Sequence, residues 1–350
     1  MRIAQIAPLA ESVPPKKYGG TERIVSYLTE ELVRQGHDVT LFASGDSTTR
    51  AELHSTIPTA LRLNPDVRNP WPYATLQLED VRARAHEFDV LHFHGDHLHF
   101  PLLRALGLGN SITTMHGRMD LREYRELFQT FGDAALVSIS EQQRQPLPHC
   151  NWVGTVYHGL PRSVCAYQQR PRGEYVAFLG RISPEKRVDR AIEIARRAGM
   201  PIRIAAKVDA ADREYFEQHI KVLLTQAHVD FVGEIGEAEK CDFLGNATAL
   251  LFPIDWPEPF GLVMIEAMSC GTPCIAWRAG SVPEIINEGR SGFIVDSIDD
   301  AVAAVHQARR LDRRTVRAVF QQRFSVERMT RDYVNLYERV AGSRRGQAAA

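Results

Sequence analysis

No stretch of the 350-residue chain reaches about eighteen consecutive apolar residues, so no segment is suited to cross a membrane as a helix. Charge of one sign is equally scarce. Its 42 Lys and Arg against 43 Asp and Glu leave a formal net charge of −1, which excludes bulk attraction to nucleic acid or another polyanion. The five cysteines are odd in number and irregularly spaced. That pattern lacks the paired spacings of a zinc site or a disulfide framework, and reduced thiols in a cytoplasmic protein are expected. Cys270 and Cys274 read as structural residues, since no His or Cys pair completes a metal site around them. The Gly-x-Gly-x-x-Gly spacing of dinucleotide binders is missing, which disfavours an NAD-dependent dehydrogenase. Residues 1–8 are too short for a signal-peptide apolar region and read as a first strand.

At 44% apolar and 24% charged residues, the composition is that of a globular protein, and the length allows two domains with separate cores. Short apolar runs alternate with amphipathic stretches, the pattern of parallel sheets covered on both faces. Strands are expected at 2–8, 38–43, 89–94, 111–115, 134–139 and 153–157. A second series follows at 175–180, 202–206, 229–232, 248–253, 273–277 and 292–295. Helices are expected at 21–35, 186–198, 210–227, 237–245, 260–270, 282–287 and 299–311. The fold class is therefore α/β, with two doubly wound Rossmann-like domains facing a central cleft. The junction is placed within 161–173, giving domains 1–163 and 164–325. A terminal helix over 326–341 and a disordered tail over 342–350 complete the chain. Tyr333, Leu336 and Tyr337 at helical spacing read as core packing.

Ligands of open α/β sheets bind beyond the carboxyl ends of the strands, so the loops there carry the chemistry. The run Pro257-Glu-Pro-Phe-Gly-Leu-Val-Met-Ile-Glu266 puts two carboxylates, Glu258 and Glu266, on either side of a helix start, with seven residues between them. The first amides of that helix, those of Phe260, Gly261 and Leu262, suit a diphosphate. A phosphate flanked by hydroxyl-binding acids describes a nucleotide-sugar. Arg181 and Lys186 follow the first strand of the second half, a fork and a point charge suited to a leaving diphosphate. Gly19 and Gly20 open the first helix and allow close backbone approach to a phosphate. His116, at a strand end before Gly117, is a ligand candidate. His92, His94, His97 and His99 crowd one segment without a carboxylate or thiolate cluster, so no metal is assigned, although His94 lies near the cleft. Ser281 and Glu284 stand at capping-box spacing and are placed near the same pocket.

Together the Gly19-Gly20 loop, His116-Gly117, Gly180-Arg181 with Glu185-Lys186, and the Glu258 to Glu266 segment resemble the retaining glycosyltransferases of family 4, which have the GT-B fold. The most specific part is Glu-Pro-Phe-Gly-Leu followed by Glu-Ala-Met and Gly-Thr-Pro. The resemblance implies that Glu258 bonds the donor sugar's hydroxyls, helped by the Phe260, Gly261 and Leu262 amides, and that Glu266 holds the nucleotide ribose. It further implies that Arg181 and Lys186 neutralise the diphosphate, that Gly20 lets the backbone approach it, and that His116 contacts the transferred sugar. The base would lie near the 232–235 loop, with Gly233 and Ile235, and the first domain would bind the acceptor. Such enzymes work without a metal or other cofactor and retain anomeric configuration by same-face attack. The partners implied are a nucleotide-sugar donor, UDP-hexose before GDP-mannose, and a hydroxyl-bearing glycan, lipid-linked glycan or small metabolite, with at most peripheral membrane contact. Lys186 is followed by Arg187 where glycine is common in that family. A sugar-nucleotide epimerase of similar architecture and a non-catalytic nucleotide-sugar-binding protein are the competing classes. The former needs no acceptor, and the joint presence of Glu258, Arg181 and Lys186 speaks against the latter.

Overall fold

Runs that are apolar at nearly every position, such as Ala249–Phe252, fold as strands buried on both faces of a parallel sheet. The computed structural model describes the chain apart from residues 17, 18, 63, 96, 349 and 350 and the side chains of 343–348. Tyr18 of the glycine loop therefore lies outside the described residues. The chain divides into two units, one of Met1–Gly159 with Val326–Ala350, the other of Leu160–Ser325.

In the first unit the strands are β1 (Arg2–Ile6), β2 (Asp38–Phe42), β3 (Glu52–His54), β4 (Val90–Phe93), β5 (Ser111–Thr114), β6 (Leu136–Ser138) and β7 (Trp152–Thr155). They form one sheet in the order β3-β2-β1-β4-β5-β6-β7, every pair parallel. The helix Gly20–Arg34 turns Ile24, Val25, Leu28 and Leu32 inward, each fully buried. Burial of each such side chain contributes about 1.5–3 kcal/mol. The terminal helix Val326–Ala348 packs against both that helix and β4.

The second unit holds β8 (Val176–Arg181), β9 (Ile202–Lys207), β10 (Val229–Gly233), β11 (Ala249–Phe252), β12 (Cys274–Trp277) and β13 (Gly292–Val295), ordered β10-β9-β8-β11-β12-β13 and again all parallel. Its core gathers Val176, Ile192, Ile202, Leu251, Ile275 and Val305 among others. The helix Leu262–Cys270 is buried along its whole length from Met264 onward, which explains why it shows no polar stripe.

Several expectations are corrected. The short edge strand β3 is three residues long and too brief to show a period. The helix placed at 210–227 is broken into Ala210–Asp212, Arg213–Tyr215, Phe216–Ile220 and Leu223–Thr225, because the segment is tied down only along part of its length. Cys165 and Cys241 form a disulfide, with Cα atoms 5.2 Å apart although 76 residues separate them in sequence. A pairing set by the fold leaves no mark on local spacing, which is why reduced thiols were expected throughout. Cys150, Cys270 and Cys274 are free and buried, and burial pushes the Cys270 thiol up to about 11.

Candidate functional site

The strand order of the second unit reverses between β8 and β11, so the loops leaving these neighbours open a crevice at their carboxyl ends. The loop after β8 carries Lys186 and the loop after β11 carries Glu258. Their side chains form an ion pair. The Trp256 indole N–H donates to the same Glu258 oxygen, Oε2, at 3.2 Å, and the Lys186 ammonium lies 5.0 Å from the Trp256 ring and 5.7 Å from that of Phe252. An aromatic wall thus keeps the ammonium in a cation–π environment next to its carboxylate.

The backbone of Glu258 is clamped as well. Its carbonyl accepts from Ser281 N–H at 2.9 Å, and the Ser281 hydroxyl donates to Phe260 O at 2.8 Å. Ser281 therefore does not act as the side-chain cap that its spacing to Glu284 suggested; it braces the Glu258 loop instead. Gly280 (φ +52) makes the approach possible, because a Cβ there would lie 2.4 Å from both N and O of Glu258.

Arg181, at the end of β8, is tied to an acidic group of its own. It bonds Glu185 at 2.6 Å and pairs with Asp212 at 3.4 Å and Asp209 at 3.7 Å. Arg187 adopts the left-handed conformation that glycine usually fills (φ +53), held by Asp189 and Asp255, both at 2.9 Å. Its ion pairs offset the strain that a non-glycine residue brings.

The helix expected from Phe260 begins at Leu262, because Gly261 turns left-handed (φ +79) and caps it. A Cβ on Gly261 would meet Met264 Cε at 2.7 Å. Among the described residues, the N–H groups of Gly261, Leu262 and Val263 have no acceptor. Gly261 and Leu262 belong to the expected set of amides, and the buried ring of Phe260, its first member, packs edge-on against Phe324 at 6.2 Å. Glu266 is buried about one turn into this helix and pairs with Lys240 at 2.9 Å. Lys240 also pairs with Glu237, and the charge of Glu266 outranks the other attractions that hold its ammonium above the ordinary range against burial. Sequence reasoning missed Lys240, Trp256 and two of the acidic partners of Arg181, Asp209 and Asp212; no local period or spacing marks them. Gly233 ends β10 at φ +78, and Ile235 is half-buried in the turn that follows.

Gly19, Gly20 and His116 belong to the first unit, whose strand order reverses between β1 and β4. Gly19 precedes the helix Gly20–Arg34 where a Cβ would strike Pro15 at 2.7 Å. A cavity of about 630 Å³ opens at this switch point, lined from the loops after β1, β4 and β5 and by the helix Trp71–Arg84. Glu22 lines it, its carboxyl pushed up by burial and further by the charge of Glu11, against the opposing pull of Arg62.

Behind the cavity runs a buried polar chain. His94 Nε2 meets Gln5 Oε1 at 2.7 Å and His94 Nδ1 meets His116 Nε2 at 3.0 Å. The Gln5 amide donates to Tyr337 Oη, which lies 2.7 Å from His92 Nδ1, and His92 Nε2 reaches Thr114 Oγ1 at 2.7 Å. Burial pushes His116 down to about 3 and holds His92, His94 and His158 well below the usual imidazole range. Each ring is therefore neutral near pH 7, with one donor and one acceptor nitrogen. Since the Gln5 oxygen only accepts, His94 carries its proton on Nε2, His116 donates through Nε2, and His116 Nδ1 is left as a bare acceptor. That atom is buried and has no partner among the described residues. His92 and His94 are satisfied by these contacts, and among the described residues no group of three His, Cys, Asp or Glu is placed to hold a metal.

Comparisons with known proteins give the family and the fold. The family described as Glycosyltransferase Family 4 matches residues 18–192, half of the chain, and Glycosyl transferases group 1 matches residues 166–320. The N-acetyl-alpha-D-glucosaminyl L-malate synthase of Bacillus anthracis is 30% identical over 126 residues, 33% of this chain and 32% of that protein. The phosphatidyl-myo-inositol mannosyltransferase of Mycolicibacterium smegmatis is 24% identical over 336 residues, 86% of this chain and 82% of that one. The first curated relatives are matched over about a third of their length. A glycosyltransferase involved in avilamycin A biosynthesis shares the fold, with a TM-score of 0.72, 22% identity and coverage of 97% of this chain and 98% of that chain. With two parallel sheets, each carrying candidate residues at its switch point, and a family match spanning half its length, the chain belongs to glycosyltransferase family 4.

Proposed function

We propose that the protein is a retaining hexosyltransferase that moves a sugar from a nucleotide diphosphate donor to a hydroxyl acceptor. One observation carries the reading. A carboxylate and an ammonium pair at the switch point of the second unit: Lys186 from the loop after β8, and Glu258 from the loop after β11 that leads into a helix with unpaired amides in its first turn. Glu258 spends Oε2 on Lys186 and Trp256, which leaves Oε1 to accept from hydroxyls of the transferred sugar. The amides of Gly261, Leu262 and Val263, with Lys186 and Arg181, supply positive potential where the diphosphate gains charge. Glu266, its other oxygen held by Lys240, takes the ribose, and the base lies by Gly233 and Ile235.

In this mechanism the acceptor hydroxyl attacks the anomeric carbon on the face from which the diphosphate departs. The glycosidic carbon–oxygen bond breaks, and the leaving phosphate oxygen takes the acceptor's proton. Positioning and charge stabilisation supply most of the rate. UDP-hexose is the favoured donor and GDP-mannose the second, and the cytoplasm is the proposed compartment. Incubation with a panel of nucleotide-sugars, following free nucleotide and the anomeric configuration of the product, tests the reading. Release of nucleotide diphosphate with an α-linked product from an α-linked donor supports it; absence of binding to every nucleotide-sugar in the panel refutes it.

A further inference from the structure

The lining of the first unit's cavity is mostly apolar, and two of its large side chains, Trp71 and Leu98, are left 62% and 46% exposed although they line a concave site. Uncovered apolar surface of that size beside a cavity points to a ligand that covers it.

Most polar groups along the wall are already in use. Gln77 donates to the carbonyls of Ala7 and Phe42 at 3.1 and 3.3 Å. His94 uses both ring nitrogens, and His99 Nε2 meets Thr113 at 2.7 Å. Thr21, Glu22 and Arg62, the last paired with Glu11, also line the cavity, and two buried nitrogens of lining residues, Nδ1 of His97 and Nδ1 of His116, have no partner among the described residues. A site rich in spare hydrogen-bonding groups suits a bare sugar, whose surface is hydroxyl on all sides. This one is lined mostly by apolar side chains and has few spare polar groups.

Resting on the hexosyltransferase reading, we propose that this cavity is the acceptor pocket and that the acceptor is an amphiphilic alcohol. Its alkyl or aryl body lies against Trp71 and Leu98, and its hydroxyl-bearing end meets His97 and His116. About 630 Å³ is within the range that encloses a ligand of several rings or a medium-length chain. The alcohol can be a free amphiphile in solution or the head of a membrane-held one, and the chemistry recognised is the same.

The test uses the full chain and two probes with identical hydroxyls, octyl β-D-glucoside below its micelle concentration and methyl β-D-glucoside. Tryptophan fluorescence titration without donor is expected to show octyl glucoside bound at least about tenfold more tightly, a modest part of what burying its methylenes allows. Trp71→Ala is expected to cut that preference to about threefold or less. Because Trp71 is largely exposed, its melting temperature should stay close to that of the parent. Equal affinity for the two probes, or an unchanged preference in Trp71→Ala, overturns the proposal. Nucleotide-sugar turnover measured in parallel separates the two readings. Turnover without octyl preference refutes the pocket and leaves the transferase; octyl preference without any nucleotide-sugar binding does the reverse. Recruitment to phosphatidylcholine vesicles doped with a long-chain alcohol, but not to plain vesicles, places the acceptor in a membrane, whereas octyl preference without recruitment places it in solution.

Discussion

Gly280 and Gly289 form a controlled pair for asking how the Glu258 loop is held. Both have positive φ, +52 and +69, so alanine at either position carries the left-handed penalty of about 1–2 kcal/mol. Only Gly280 adds a collision. Its Cβ would lie 2.4 Å from Glu258 N and O and 2.7 Å from Pro257 C, whereas nothing lies within 4 Å of the corresponding position at Gly289. Reaching even 3.0 Å from 2.4 Å requires the Glu258 backbone to retreat by 0.6 Å. That movement disrupts the Ser281 N–H to Glu258 O bond, at a cost of about 1 kcal/mol, and carries the carboxylate away from its place beside Lys186. Gly289→Ala should therefore lose about 1–2 kcal/mol in urea unfolding and keep its turnover within about twofold. Gly280→Ala should lose about 3 kcal/mol or more and drop nucleotide-sugar turnover about a hundredfold, since misplacing a reacting constellation by a fraction of an ångström to an ångström is costly. If Gly280→Ala turns over within about threefold of Gly289→Ala, the claim that this glycine sets the position of Glu258 is wrong.

Glu258→Ala and Lys186→Ala should each lower transfer at least about a hundredfold with the unfolding transition retained, and near-normal turnover in either would remove that residue from the proposed site. The buried histidines make the first unit acid-sensitive. His99 is held down to about 3 by burial, so between that value and about 6.5 the unfolded chain binds a proton that the folded one refuses; stability is complete above about pH 6.5 and lost as pH falls, by about 2 kcal/mol at pH 5 for this ring alone. Urea midpoints that do not fall between pH 7 and pH 5 would contradict this. Closing a loop across 76 residues, the Cys165–Cys241 bond should contribute about 4 kcal/mol, read as a lower unfolding midpoint in Cys165→Ser or after reduction. Thiol titration of the denatured, unreduced protein should find three free cysteines, and a count of five would show the bond absent.

Legibility in the sequence followed the range of the interaction. Strands such as Val90–Phe93 and Ala249–Phe252 announce themselves because a strand buried on both faces must be apolar along its own length. The three-residue strand Glu52–His54 is too short to carry such a signal, and it forms because β2 offers an open edge. At the site, Glu258, Lys186 and Glu266 were visible as charged residues beside strand ends and a helix start. Lys240 and Trp256 were not, since each matters through a partner that the fold brings near: Glu266 for the first, and Glu258 with Lys186 for the second.

What the chain's own pattern determined, then, is the alternation of buried strands and covering helices, the doubly wound class that follows from it, and the charged residues at the strand ends. Those are consequences of short-range chemistry, written in consecutive residues. The tertiary structure alone decided which of these groups pair: Lys186 with Glu258, Arg181 with Asp209, Asp212 and Glu185, Cys165 with Cys241, and Gln5 with Tyr337 across 332 residues of chain. It also decided that the first unit carries a mostly apolar cavity and two imidazole nitrogens without partners among the described residues, because a cavity is the space left between elements and has no residues of its own to read.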